Sequence, residues 1–309
     1  MWLTVIKSTH LTKRFGEFTA IHNLDCAIPH GCIYGLVGSN GAGKSTFLRL
    51  AAGVYQADEG TLTLSGQPVF ENPSVKSLIA FIPDDVYFLT NSNLDRMAAF
   101  YSATQPNFDY PRYRELTELF RLNGKKAIST LSKGMRRQAA MILALASRPE
   151  YIFMDETFDG LDPVMRGLIK SLLCSDVSER KSTAIITSHS LRELEDTCDQ
   201  LAMLHKGGII LQNEVENLKT SLYKVQIAFS YEYSEALFAP FNVLHCSKSG
   251  SVSNLILRGD EDRTREKLRA LSPILMEFLP LTLEEVFTYE METLGYSFHD
   301  VDLQGGPHV

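Results

Sequence analysis

Apolar residues in the first third of the chain fall into short runs, not one long repeat. LTVIKS (3–8), LDCAI (24–28) and CIYGLV (32–37) are β-branched or apolar and end in Gly- or Pro-bearing turns, which predicts strands. A helix is predicted to start inside GAGKSTFLRLAAG and to stop at Gly53. TLTLSGQPVF reads as a hairpin turning near Ser65-Gly66, and SLIAFIP as a further buried strand. From about 86 to 148 the apolar spacing becomes helical, in DRMAAFYSA, YRELTELFRL and KGMRRQAAMILALAS. Strands return at YIFMDE (151–156) and TAIITSH (183–189), each followed by a helix-like stretch, and LAMLHKGGIILQ reads as strand–turn–strand.

This alternation predicts an α/β fold with a sheet that carries ligands at its strand carboxyl ends, and a helical block inserted at about 86–148. Beyond about residue 215 the pattern changes. YKVQIAFS, NVLHCS, SNLILRG and ILMEFL read as four strands, with helices at YEYSEALF and DRTREKLRAL. Their order, β-α-β-β-α-β, predicts a small ferredoxin-like α+β domain over 216–309 after a first domain over 1–215. LTLEEVFTYEMETL reads as a closing amphipathic helix, and the aperiodic stretch from about 297 as a mobile tail.

Composition narrows the function. The 309 residues hold 44% hydrophobic and 22% charged side chains with a formal net charge of -7, so nothing in the overall charge draws the chain to nucleic acid or anionic lipid. The five cysteines are scattered, with no CxxC pair, which suits reduced thiols in a cytosolic protein. No apolar run nears the roughly 20 residues that cross a bilayer, and MWLTVIKSTH lacks a signal-peptide pattern. Work at a membrane would then require another chain.

Candidate chemistry starts at Gly38-Ser39-Asn40-Gly41-Ala42-Gly43-Lys44-Ser45-Thr46, which fits the P-loop pattern between a strand and a helix. Its amides turn inward on phosphate oxygens, Lys44 adds a charge for the β- and γ-phosphates, and the Ser45 hydroxyl suits Mg²⁺. YIFMDE ends in Asp155, placed to hold Mg²⁺, and Glu156, placed to polarise an attacking water. LSKGMRRQ (131–138) is a second anion-seeking helix start, with Ser132 as N-cap, Gly134 for close approach, and Arg136 and Arg137 in the next turn. Taken alone, it reads more readily as an ordinary capped helix than as an anion site.

Together these segments resemble the ATP-binding subunit of an ABC transporter, over about residues 3–215. Ser132 and Gly134 match the serine and second glycine of that family's LSGGQ signature, while Lys133 and Met135 depart from it. The resemblance implies a P-loop NTPase of ABC type whose subunits pair head to tail, each ATP lying between one P-loop and the other subunit's signature helix. It further implies that Phe15 stacks on adenine (its alternative is a core position), that Asp162 reaches across the dimer, and that His189 contacts the γ-phosphate. Thr157 and Asp159 stand where Pro and Ser are usual. Asp84 takes the place of a Gln that ligates Mg²⁺, and a carboxylate there is still a suitable hard-oxygen donor.

The implied function is ATP hydrolysis driving separate membrane permease subunits, as a homodimer or a heterodimer with a related ATPase, peripheral on the cytoplasmic face of the membrane. The cofactors are ATP and Mg²⁺, and no nucleic acid is expected. The implied dock for a permease helix is the helical block, near Tyr87, Phe88, Phe100 and Tyr101, which otherwise belong to a core. LTLEEVF is similar to the C-terminal region of ATPases serving ABC-2-type exporters, where it helps subunits associate; its alternative is an extra packed subdomain. Two other classes stand beside this reading: a soluble ABC-type ATPase acting on ribosomes or DNA, and a regulatory ABC protein with weak hydrolysis.

Overall fold

The computed structural model describes residues 4–293 and Gly295. The tail expected from about 297 lies outside the described residues. The chain divides between Gln212 and Asn213 into two compact units.

In the first unit, β1 (Thr4–Phe15), β2 (Phe18–Pro29), β3 (Ile33–Val37), α1 (Lys44–Ala51), β4 (Glu59–Leu64), β5 (Gln67–Pro68), α2 (Pro73–Lys76) and β6 (Ile79–Ile82) come first. Then follow α3 (Leu94–Thr104), α4 (Tyr110–Leu119), α5 (Lys133–Ala146), β7 (Tyr151–Asp155), α6 (Pro163–Arg180), β8 (Thr183–Ser188), α7 (Leu191–Glu195), β9 (Gln200–His205) and β10 (Gly208–Glu214). The strands form an antiparallel sheet, β2-β1-β4-β5, and a six-stranded sheet, β10-β9-β3-β8-β7-β6. In the second sheet β9, β3, β8, β7 and β6 run parallel.

Burial explains the strand types. β3, β7 and β8 are buried at every residue, as parallel strands covered on both faces must be, which is why their sequences are unbroken apolar runs. β1 and β2 run well beyond the short apolar segments legible in the sequence. Residues with left-handed backbone, His10 (φ 51) and Asn23 (φ 46), fall within shifts of register, so inside–outside alternation breaks while pairing continues. The core lies between the two sheets, where Phe47 and Leu48 of α1 meet Ile6 and Leu24 on one side and Leu36, Phe153 and Ile185 on the other. That packing fixes the start of α1 at the carboxyl edge of the parallel sheet.

The helices between β6 and β7 each open on a built cap. Asn93 accepts from Arg96 N, Asp109 from Arg112 N and Ser132 from Met135 N. Tyr113 of α4 donates to Asp95 of α3 at 2.7 Å, and Met141–Ala146 of α5 are all buried.

The second unit holds α8 (Val215–Ser221), β11 (Leu222–Ala228), β12 (Val243–Ser249), β13 (Val252–Arg258), α9 (Glu261–Arg269), β14 (Leu275–Leu279) and α10 (Leu283–Thr293). Its sheet has the order β12-β13-β11-β14, antiparallel throughout. Tyr223, Val225, Ile227, Leu255 and Leu257 form one core face with Leu268 of α9. The helix expected at YEYSEALF is a single 3₁₀ turn, Glu235–Phe238. Ser234 makes no side-chain cap bond there and Pro240 follows closely, so too few residues remain to repay helix nucleation. Phe238 from this turn still plugs the core.

Candidate functional site

The loop between β3 and α1 is shaped by close backbone approach. Gly43, at φ 110, caps α1, and a Cβ there would lie 2.5 Å from the Ala20 carbonyl oxygen. At Gly38 a Cβ would lie 2.3 Å from the Leu204 carbonyl oxygen. Glycine is required at both, and the turn is tightened by Ala42 N donating to Ser39 O at 3.1 Å. Lys44 is 5% exposed and its ammonium lies within the loop, donating to Gly38 O at 2.6 Å and Ser39 O at 3.2 Å.

Two sheet residues meet this loop. Asp155, at the carboxyl end of β7, is fully buried and accepts from Ser45 Oγ at 2.9 Å and from Thr187 Oγ1 at 2.8 Å, both on Oδ1. Its Oδ2 is buried and finds no partner among the described residues. A buried carboxylate oxygen left over beside a serine hydroxyl is the donor set of a hard divalent cation, so Asp155 and Ser45 fit Mg²⁺.

Glu156 follows with left-handed backbone, φ 46, a conformation costing a non-glycine residue about 1–2 kcal/mol. The turn holds it there: Thr187 Oγ1 accepts the Glu156 N–H at 3.0 Å and Asp159 N–H donates to Glu156 O at 3.2 Å. The Glu156 carboxylate meets both Lys44 and His189. Its Oε1 lies 3.2 Å from Lys44 Nζ and its Oε2 lies 2.9 Å from His189 Nδ1. Asp159 joins them, since one ligand atom each from Glu156, Asp159 and His189 lie within 4.8 Å of one another.

The charges explain the titration. The hydrogen bond that His189 donates to Glu156 holds the imidazole above its ordinary value of 6.5, against desolvation. The imidazolium–carboxylate contact therefore adds stability below that ordinary value, and the gain is lost as pH rises through the raised one. Burial pushes the Asp159 carboxyl up, opposed by the charge of His189.

The remaining candidates sit apart from this chain of contacts. Ser132 caps α5 by accepting from Met135 N at 3.2 Å, and a Cβ on Gly134 would lie 3.3 Å from the Gly160 carbonyl oxygen. Asp162 caps α6 through Val164 N and Met165 N, both at 3.0 Å. Phe15, at the end of β1, is 44% exposed with its ring edge-on to Tyr55. It is a surface aromatic and not a core one. Asn40 and Gly41 are exposed at the loop tip, and Thr46 follows Ser45 in the first turn of α1.

Two charged residues have partners that the sequence alone does not show. Arg137 does not face outward to an anion: it is 2% exposed and pairs with Asp84, while Arg136 donates to Ser129 O at 3.1 Å. Asp84 pairs with Arg137, and among the described residues no hydrogen bond joins it to Ser45 or Asp155. Thr187 was not among the sequence candidates. Its signal is register: β7 and β8 pair Asp155 with Thr187, which puts a hydroxyl beside the buried carboxylate.

Known proteins match this arrangement. The family model described as ABC transporter matches residues 21–159. The ABC transporter ATP-binding protein YtrB of Bacillus subtilis is 29% identical over 92% of this chain and 97% of its own length. The Nod factor export ATP-binding protein I of Cupriavidus metallidurans is 31% identical over 69% of this chain and 72% of its own length. A solved ATP-binding subunit of an ABC transporter superimposes with a TM-score of 0.65 at 21% identity, covering 70% of this chain and 92% of that one.

Proposed function

The chain belongs to the ATP-binding subunits of ABC transporters, and from that membership we propose how its own residues run the cycle. It is an ATP-hydrolysing subunit of a transporter complex, working with membrane permease chains. Among the described residues no helix is long and apolar enough to cross a membrane.

The contacts from Lys44 to Glu156 to His189 carry the mechanistic reading. Lys44 rests on two loop carbonyls and one carboxylate, an arrangement that phosphate oxygens replace with stronger charge-assisted bonds when ATP enters. Moving Lys44 onto phosphate releases one oxygen of Glu156. Glu156 then takes the proton of the attacking water, while His189 keeps its other oxygen oriented and contacts the γ-phosphate. Ser45 and Asp155 would hold Mg²⁺, which would neutralise charge on the phosphates. Phe15 stacks on the adenine. Ser132 and Gly134 of a second copy, or of a related subunit, complete each site, and Asp162 lies at that interface.

Between β6 and the helices α3 and α5 runs an apolar groove of about 530 Å³, lined by Tyr87, Phe88, Met97, Phe100 and Tyr101 among others. Tyr87 is 79% and Phe100 47% exposed, more apolar surface than a finished core leaves open. This groove receives a cytoplasmic helix of the permease. The second unit is an accessory domain of ferredoxin-like topology, a reading supported by its strand order and by YtrB, which matches along nearly its whole length. Export as the direction is supported by the LTLEEVF segment and by the Nod factor export relative.

A photo-crosslinking residue at Tyr87, introduced in cells and activated in native membranes, tests this assignment. The expected product joins the chain to a polytopic membrane protein, with a yield that changes when ATP is added. Crosslinks to ribosomal proteins alone would overturn the transport role.

A further inference from the structure

Arg137 and Asp84 do work that the catalytic contacts leave unexplained. A guanidinium 2% exposed inside a helical block is costly unless its charge is met. Arg137 Nη2 donates to the Asp84 carboxylate, and the same nitrogen lies 3.4 Å from Asp84's own carbonyl oxygen. One arginine atom thus grips both the side chain and the backbone of residue 84. Arg137 Nε and Nη1 are buried and find no acceptor among the described residues. Asp84 is therefore the carboxylate that neutralises Arg137.

The two sides of this contact lead to different places. Asp84 lies between Pro83 and Val86, which both line the apolar groove. Arg137 belongs to α5, the helix capped by Ser132, and faces the turn that carries Asp159. A Cβ on Gly160 would lie 3.9 Å from Arg137 Nη1, and Gly134 of the same helix closes on the Gly160 carbonyl. Asp159, in contact range of Glu156 and His189, feels the Arg137 charge as a minor opposition to burial.

We propose that Arg137 is a positioning residue that clamps the groove loop, through Asp84, to the signature helix and the turn at 157–162. Asp84 serves this clamp and is not a magnesium ligand. When the catalytic turn moves, the groove loop moves with it, because Arg137 is 2% exposed and parting it from Asp84, itself 53% exposed, would leave a buried guanidinium charge unmet. The inference rests on reading the site as an ATPase and the groove as its permease dock.

The test compares Asp84→Asn, Arg137→Gln, the double variant and Asp84→Glu for kcat, KM for ATP, the Mg²⁺ concentration at half-maximal rate, and the unfolding midpoint. Each single change is expected to lower kcat about tenfold, with the double no worse than the poorer single, as coupled partners behave. Asp84→Glu is expected to recover most of the rate, and the Mg²⁺ requirement to stay within about twofold throughout. Additive losses would overturn the clamp. So would a Mg²⁺ requirement raised about tenfold by Asp84→Asn alone, the behaviour of a lost metal ligand. If one single variant does not fold, the double and Asp84→Glu still decide: a double variant that folds and turns over supports the pair, and one as damaged as the failed single contradicts it. A wild-type chain without turnover would instead sink the ATPase reading, and the clamp would then stand or fall on whether the unfolding midpoints are non-additive.

Discussion

Glu156→Gln is expected to bind ATP but hydrolyse it about 10²–10⁴-fold more slowly, the range that a positioned general base contributes. The substitution keeps the size of the side chain and the left-handed turn that Thr187 and Asp159 hold in place. It removes the negative charge that both Lys44 and His189 face. Binding survives because Lys44 and the loop amides are untouched. With hydrolysis blocked, ATP stays in the site, so the ATP-bound dimer accumulates. Phosphate release and size-exclusion chromatography with ATP read the two effects. Turnover equal to wild type would remove Glu156 from the chemistry and leave its sequestered, strained position without a purpose.

Lys44→Ala carries the second large effect, and it falls on binding. The ammonium is already desolvated at 5% exposure, held by Gly38 O, Ser39 O and Glu156, so little reorganisation is needed when phosphate arrives. A charge-assisted hydrogen bond is worth about 1.5–3 kcal/mol, which converts to an affinity loss of roughly 10–100-fold. Alanine also leaves Glu156 with His189 as its remaining contact, raising the cost of its charge. Equilibrium titration with ATP reads the affinity, and the unfolding midpoint is expected to stay close to wild type because the desolvation cost of the buried ammonium is removed together with its contacts. Affinity within about twofold of wild type would contradict the placement of Lys44 on the phosphates.

Much of this site is legible in the sequence because its local chemistry is local in the chain. The loop at 38–46 declares itself by spacing, and the run YIFMDE shows a buried strand ending in two acids. Ser132 is visible as a cap for the same reason. What depends on strand pairing is not visible. Thr187 becomes a partner of Asp155 only once β7 and β8 are in register. Arg137 reads as an outward charge beside Arg136, yet the helix turns it inward, and its partner lies 53 residues earlier in the chain. Asp84 stands where the family resemblance has a glutamine, and its charge meets Arg137. Element types follow the apolar pattern well for the buried parallel strands. β1 and β2 extend further than the pattern suggests because bulges at His10 and Asn23 interrupt alternation without ending the strand. At YEYSEALF the helical spacing is real, but a proline and a missing cap leave one 3₁₀ turn.

The position of Asp159 adds chemistry that the P-loop pattern does not contain. It brings a second carboxyl within 4.8 Å of His189 and Glu156. That arrangement favours the charged imidazole beside Glu156.

The most direct measurement is affinity capture from detergent-solubilised native membranes, with the Glu156→Gln chain as bait and ATP present. ATP held in the site keeps the subunits closed and preserves the complex through washing. A polytopic membrane protein recovered in stoichiometric amount, together with a second ATPase copy or a related subunit, is the result expected of a transporter motor. Recovery of ribosomes, of DNA, or of the bait by itself would contradict it.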